Sequence, residues 1–183
     1  MSAAVIYTIG HGNRTLDEFI SLLRKQAVKS LVDVRAQPYS SRFPYFSMEP
    51  LREAMESVDI VYHWAGRQLG GHRAAMADSK HHALEGGMRA YADYMETEAF
   101  HRAAGQLINM ASRSSTAIMC AERKPENCHR RLIADYLILQ GIDVVHLIEQ
   151  GESHAHHLSV EARRESAQLI YDRNTSAELG LSG

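Results

Sequence analysis

Short apolar, β-branched runs alternate along this chain with longer segments whose apolar residues recur every three or four positions. Val5 to Ile9 is the first such run, and Gly10-His11-Gly12-Asn13 breaks it. Thr15 to Lys25 then reads as a helix: Leu16, Phe19, Ile20 and Leu23 share a face, and Thr15 with Glu18 has capping-box spacing. Leu31 to Val34 is the second strand, ending at Arg35 and stopped by Pro38. A short helix near Pro50 to Ser57 leads to a third strand, Ile60 to Trp64. Met88 to Glu98 and Ala99 to Ser112 read as helices, and Thr116 to Cys120 as a fourth strand. The helix from Cys128 to Gln140 ends at Gly141, which suits a carboxyl cap. Asp143 to Ile148 is the fifth strand, and Ser159 to Tyr171 is expected to be a last helix.

Parallel strands need crossovers, and the intervening helices supply them. The expected architecture is therefore one α/β domain over residues 1–172. It has a mainly parallel, five-stranded, Rossmann-like sheet flanked by helices, and 173–183 form a flexible tail. The polar stretch Gly66 to Gly87, with two Gly-Gly pairs and His81-His82, is expected to be a surface loop or a lid.

Composition narrows the picture. At 183 residues, 45% hydrophobic and 23% charged, the chain can bury a core. A net charge of −2 gives no global attraction to nucleic acid or anionic membrane, so any anion site is local. Two cysteines, no signal-peptide pattern and no run near the roughly 18 apolar residues of a membrane span point to a reducing, cytoplasmic setting with no membrane partner.

Ligands of open parallel sheets bind beyond the carboxyl ends of the strands. His11 and Asn13 follow the first strand. Asp33, Arg35 and Arg42 follow the second, and Arg67 with Gly70-Gly71-His72-Arg73 the third. Gly151 to His157, with three histidines, follows the fifth. The most specific segment follows the fourth, from Cys120 through Glu122 to Cys128, His129, Arg130 and Arg131. A helix amino terminus and nearby arginines favour a thiolate or a bound anion.

Three readings follow. In the first, the chain is an enzyme acting on an anionic small molecule or nucleotide. Cys120, Glu122, Cys128 and His129 form its catalytic set, and His11, Asn13, Arg35, Arg42, Arg67 and Arg130 bind substrate. In the second, Cys120, Cys128, His129 and His11 converge on zinc or iron. In the third, the site is a non-catalytic nucleotide or nucleic-acid module in which Tyr39, Phe43, Tyr45 and Phe46 stack on bases. The first is preferred. No cofactor is named by the sequence, and a role for long nucleic acid is disfavoured by the net acidity.

The chain also resembles a known family, the uncharacterised domain-of-unknown-function family 488. The resemblance rests on Thr8-Ile9-Gly10-His11, Val32-Asp33-Val34-Arg35, Ser40-Ser41-Arg42-Phe43-Pro44 with Phe46, Leu69-Gly70-Gly71, Tyr91 with Tyr94-Met95, and Cys120-Ala121-Glu122 with Pro125 and Cys128-His129-Arg130. It implies an α/β fold and a shared site at these positions, and it supplies no reaction. Tyrosine phosphatases and rhodaneses also place a cysteine between a strand and a helix. The phosphatase signature, however, wants an arginine six positions after the cysteine, where this chain has Glu126.

Overall fold

The structure, a computed structural model, describes residues 4–173. The chain runs β1 (Val5–Gly10), α1 (Leu16–Lys25), β2 (Ser30–Asp33), α2 (Met48–Glu56), β3 (Val61–Trp64), α3 (Gly66–Leu69) and α4 (Gly86–Tyr94). It continues with α5 (Glu98–Arg113), β4 (Thr116–Cys120), α6 (Arg130–Leu139), β5 (Asp143–Glu149), β6 (Glu152–Ala155), β7 (Ala162–Glu165) and β8 (Gln168–Tyr171). Of the tail expected at 173–183, all but Arg173 lies outside the described residues.

The central sheet has strand order β3-β2-β4-β1-β5-β6. Its first five members are parallel, and β6 is antiparallel to β5. Successive side chains of a strand point to opposite faces, and both faces of this sheet are covered. Ile6, Val32, Ile118 and Val144 pack beneath α4, α5 and α6, while Ile9, Leu31, Met119 and Leu147 pack beneath α1 and α2. Strand β4 is buried along its whole length, as a central parallel strand under two helical layers must be. Thr15 caps α1 by accepting from the Glu18 N–H at 3.1 Å. Among the described residues, no helix is long and apolar enough to cross a membrane.

Two elements differ from expectation. The sheet has six strands rather than five, because Gly151, at φ +77°, turns the chain back along β5 as the edge strand β6. The segment expected as a helix over Ser159 to Tyr171 is the hairpin β7–β8, turning at Ser166 with φ +53°. Glu, Ala, Arg, Gln and Leu, all helix formers, make up most of this segment, but tertiary contacts overrule them. The Tyr171 N–H donates to His81 Nδ1 at 3.1 Å, and its hydroxyl donates to Asp135 Oδ2 at 2.8 Å. The polar stretch 66–87 also contains regular structure: it opens with α3 and closes in the first turn of α4. Between them, buried His81 and the bond from the Ser79 hydroxyl to Asp93 Oδ1, at 2.6 Å, tie it down.

Candidate functional site

Strand β4 lies between β2 and β1, so its carboxyl end emerges between theirs. Cys120, its last residue, pairs in register with Gly10, and the His11 N–H donates to the Cys120 carbonyl at 3.0 Å. The Val34 N–H donates to the Met119 carbonyl at 2.9 Å, which brings Arg35 up on the other side. After Cys120 the chain crosses over Gly10, makes a 3-10 turn at Pro125–Asn127 and returns Cys128 to the mouth of α6. Gly10 is required by that crossing: a Cβ there would sit 1.6 Å from the Glu122 carbonyl oxygen.

The return brings the two sulfurs together. Cys128 Sγ is 3.0 Å from Cys120 Sγ, and both thiols are buried and free. Arg130, fully buried, donates from Nη1 to Cys120 Sγ at 3.0 Å and to the Glu122 carbonyl at 2.9 Å. Its backbone N–H, in the first turn of α6, reaches Cys128 Sγ at 3.4 Å. Burial alone would raise the Cys120 thiol. The hydrogen bond from Cys128 and then the Arg130 charge outweigh it and bring Cys120 down to about 7. Cys128 is pushed the opposite way, by its bond to Cys120 and by burial. The two shifts run in opposite directions and favour Cys120 as the sulfur that gives up its proton and Cys128 as the S–H donor.

His129 completes the cluster. Its Nε2 lies 3.1 Å from the Val34 carbonyl, which only accepts, so Nε2 carries the proton and Nδ1 is left as an acceptor 3.7 Å from Cys128 Sγ. Burial holds His129 down to about 4, against the pull of the Val34 and Leu69 carbonyls, so it is neutral at pH 7. The Tyr91 ring packs on it at 4.9 Å.

Arg35 is engaged by Asp33 through two bonds, Nε to Oδ1 at 2.9 Å and Nη2 to Oδ2 at 2.7 Å, and the Tyr62 hydroxyl donates to the same carboxylate. Burial pulls Arg35 down, but the Asp33 carboxylate more than offsets it. The third terminus, Nη1, is buried with no partner. Arg35, Tyr39, Gly71, Cys120, Cys128 and His129 line one cavity of about 480 Å³.

The remaining expected site residues are placed less centrally. Glu122 reaches the cavity wall with an exposed side chain, while its carbonyl serves Arg130. His11 is buried beside the site, its Nδ1 donating to the Gly12 carbonyl at 2.9 Å and its ring stacked on Phe46 at 4.6 Å; burial lowers its pKa. Asn13 is exposed and accepts from Arg123 at 3.2 Å. Arg42 and Arg67 are exposed and lie over the Phe43 and Trp64 rings, at 5.5 Å and 6.0 Å. Arg130 holds the loop and the thiolate rather than facing the cavity.

For the metal reading, two thiolates on tetrahedral zinc stand roughly 3.8 Å apart, given Zn–S bonds of about 2.3 Å. Cys120 and Cys128 stand closer than that, at 3.0 Å, with Cys128 donating to Cys120. Among the described residues, the one group of ligand-type side chains close enough to share an ion is His81, Asp93 and Glu96. There, His81 Nδ1 accepts from the Tyr171 N–H, so Nε2 carries the ring proton and points an N–H, not a lone pair, at the carboxylates. For the base-stacking reading, Phe46 is core, Phe43 and Tyr45 are half-buried, and Tyr39 is the exposed ring of the four.

Sequence reasoning missed a second polar system. It runs through Thr8, His146, His156, Asp135 and Tyr171, with His146 Nε2 2.8 Å from His156 Nδ1 and His156 Nε2 2.7 Å from Asp135 Oδ1. Its one sequence signal was the histidine-rich Gly151–His157 segment. Also missed was Arg14, buried with Nε donating to the Gly10 carbonyl at 2.8 Å. No match is found among curated proteins or among solved structures. The family model of the domain of unknown function DUF488 matches residues 15–137, and with two thirds of its length so matched the chain belongs to that family.

Proposed function

We propose that this protein is a cysteine-dependent enzyme acting on a small anionic substrate, with Cys120 as nucleophile. The observation that carries the reading is the pairing of a stabilised cysteine sulfur with a buried guanidinium N–H that has no partner, on residues lining one cavity. Cys120 Sγ is stabilised by Arg130 and Cys128, and the Arg35 Nη1 is buried, charged and without a partner. An unpaired buried guanidinium N–H is costly unless a ligand satisfies it. A carboxylate, sulfonate or phosphate oxygen on the substrate would do so, with its electrophilic atom over Cys120. The arrangement suits a reducing compartment such as the cytoplasm, where both thiols stay free.

Labelling of each cysteine in the native protein, resolved by peptide mass spectrometry against pH, tests this. Cys120 is expected to titrate near pH 7 and Cys128 to stay inert there. The anionic reagent iodoacetate is expected to outpace neutral iodoacetamide at Cys120, reversing their order on free thiols. If both cysteines react only after denaturation, the nucleophile reading fails.

A further inference from the structure

We propose that Cys120 and Cys128 act together as a redox dithiol that reduces the disulfide of a small carboxylate-bearing thiol. The inference rests on the proposed nucleophile and its anion pocket, and goes beyond them by giving Cys128 a chemical task. A single-cysteine transferase needs no second sulfur beside its nucleophile. Here the second sulfur is 3.0 Å away, and a disulfide bond of about 2.05 Å is reached by roughly 1 Å of movement. Cys120 is fixed at the end of β4. Cys128 sits between the 3-10 turn at Pro125–Asn127 and α6, outside any regular element, and is the one able to move.

The steps balance in atoms and electrons. The Cys120 thiolate attacks one sulfur of the substrate disulfide, forming a Cys120–S–S–R bond and releasing the first thiolate, RS⁻. Cys128 has then lost the thiolate to which it donated, and its nearest remaining acceptor is His129 Nδ1 at 3.7 Å. The Cys128 proton passes through Nδ1 to the departing RS⁻, while Cys128 Sγ attacks Cys120 Sγ and breaks the mixed disulfide. The second RS⁻ leaves as that bond breaks. Two electrons have passed from the dithiol to the substrate, which departs as one thiol and one thiolate; the thiolate takes its proton from water, and a dithiol reductant restores the pair. The Arg35 Nη1 selects a substrate whose carboxylate lies near its disulfide.

The test uses the reduced native chain and two probes, glutathione disulfide, which carries carboxylates, and cystamine, which is cationic. After an acid quench, intact and peptide masses report the products. The expected result is a Cys120–Cys128 linked peptide with no added mass, formed about tenfold faster with glutathione disulfide. Cys128→Ser is expected to stop at a Cys120–glutathione adduct, and that adduct also shows that the variant retains its site. If neither probe yields the linked peptide while iodoacetate still labels Cys120 near neutral pH, the dithiol inference is overturned and the nucleophile reading stands. If cystamine forms the linked peptide as fast as glutathione disulfide, the substrate class is overturned together with the anion pocket beneath it.

Discussion

Arg130 shows how much of the site depends on one planar group. Its Nη1 serves the Cys120 sulfur and the Glu122 carbonyl together, and Nη2 reaches the Arg123 carbonyl at 3.3 Å. A guanidinium presents these donors in a fixed fork; a lysine ammonium, on a chain of different reach, cannot hold all three acceptors. Arg130→Lys is therefore expected to raise the apparent pKa of Cys120 by about one unit, equivalent to about 1.4 kcal/mol. Thiolate ultraviolet absorbance followed against pH reads this directly, and an unchanged titration would show that Arg130 serves the loop alone. The sign carries over to stability. Cys120 is lower in the folded chain than in the unfolded one, so its contribution to stability is lost as pH falls through about 7. Cys128, raised in the folded chain, works against stability once pH passes the unfolded thiol value. Arg130→Lys weakens this dependence.

At the scale of elements, the β7–β8 hairpin is held by polar bonds as much as by its apolar residues. Asp135 on α6 accepts from His156 Nε2, from the Ser159 N–H at 3.0 Å and from the Tyr171 hydroxyl. With a neutral His156 ring, its Nδ1 accepts from His146 Nε2–H, and His146 Nδ1 accepts from the Thr8 hydroxyl. Asp135→Asn puts an NH2 donor against one of these donors. It is expected to cost about 3 kcal/mol, in the range for breaking a buried charged network. Hydrogen exchange should then show amides of 162–171 opening well before those of β1 and β4; equal protection in variant and parent would disprove the tethering role. The same bonds explain what the sequence showed and what it hid. β1, β2 and β4 were readable because both of their faces are apolar. In Glu152–Ala155 every side chain is exposed, so β6 left no alternation to read. Hairpin β7–β8 owes its form to His81 and Asp135, both more than twenty residues away, which local periodicity does not register. Cys120, Cys128 and His129 were legible because a polar loop between a buried strand and a helix exposes its chemistry in order. Arg14 and the His146 system are buried one residue at a time from separate segments, so nothing in the sequence joins them.

Over the whole molecule, the buried neutral histidines set the response to acid. His129 is held down to about 4 and His146 to about 3, in both cases by burial first, and His11 is lowered for the same reason. In the unfolded chain each takes up a proton near pH 6.5. Between 6.5 and 4 the unfolded state therefore binds more protons than the folded one, and stability falls as pH falls. Each such histidine contributes a slope of at most about 1.4 kcal/mol per pH unit. The three lie on different supports: His11 beside the cavity, His129 at the start of α6, and His146 within β5 against β1. Acid thus loads the cavity wall and the sheet together, and unfolding is expected to begin near pH 5 rather than in the carboxylate range. Urea midpoints at pH 7.5, 6 and 5 should decline steadily, with His146→Gln flattening part of the decline by removing one titrating group. A midpoint that holds constant from pH 7.5 to 5 would mean that the histidines gain their protons without unfolding, through a local opening of the loop between β4 and α6. Cys120 labelling at pH 5 separates the two cases, because local opening exposes that thiol while the sheet remains intact.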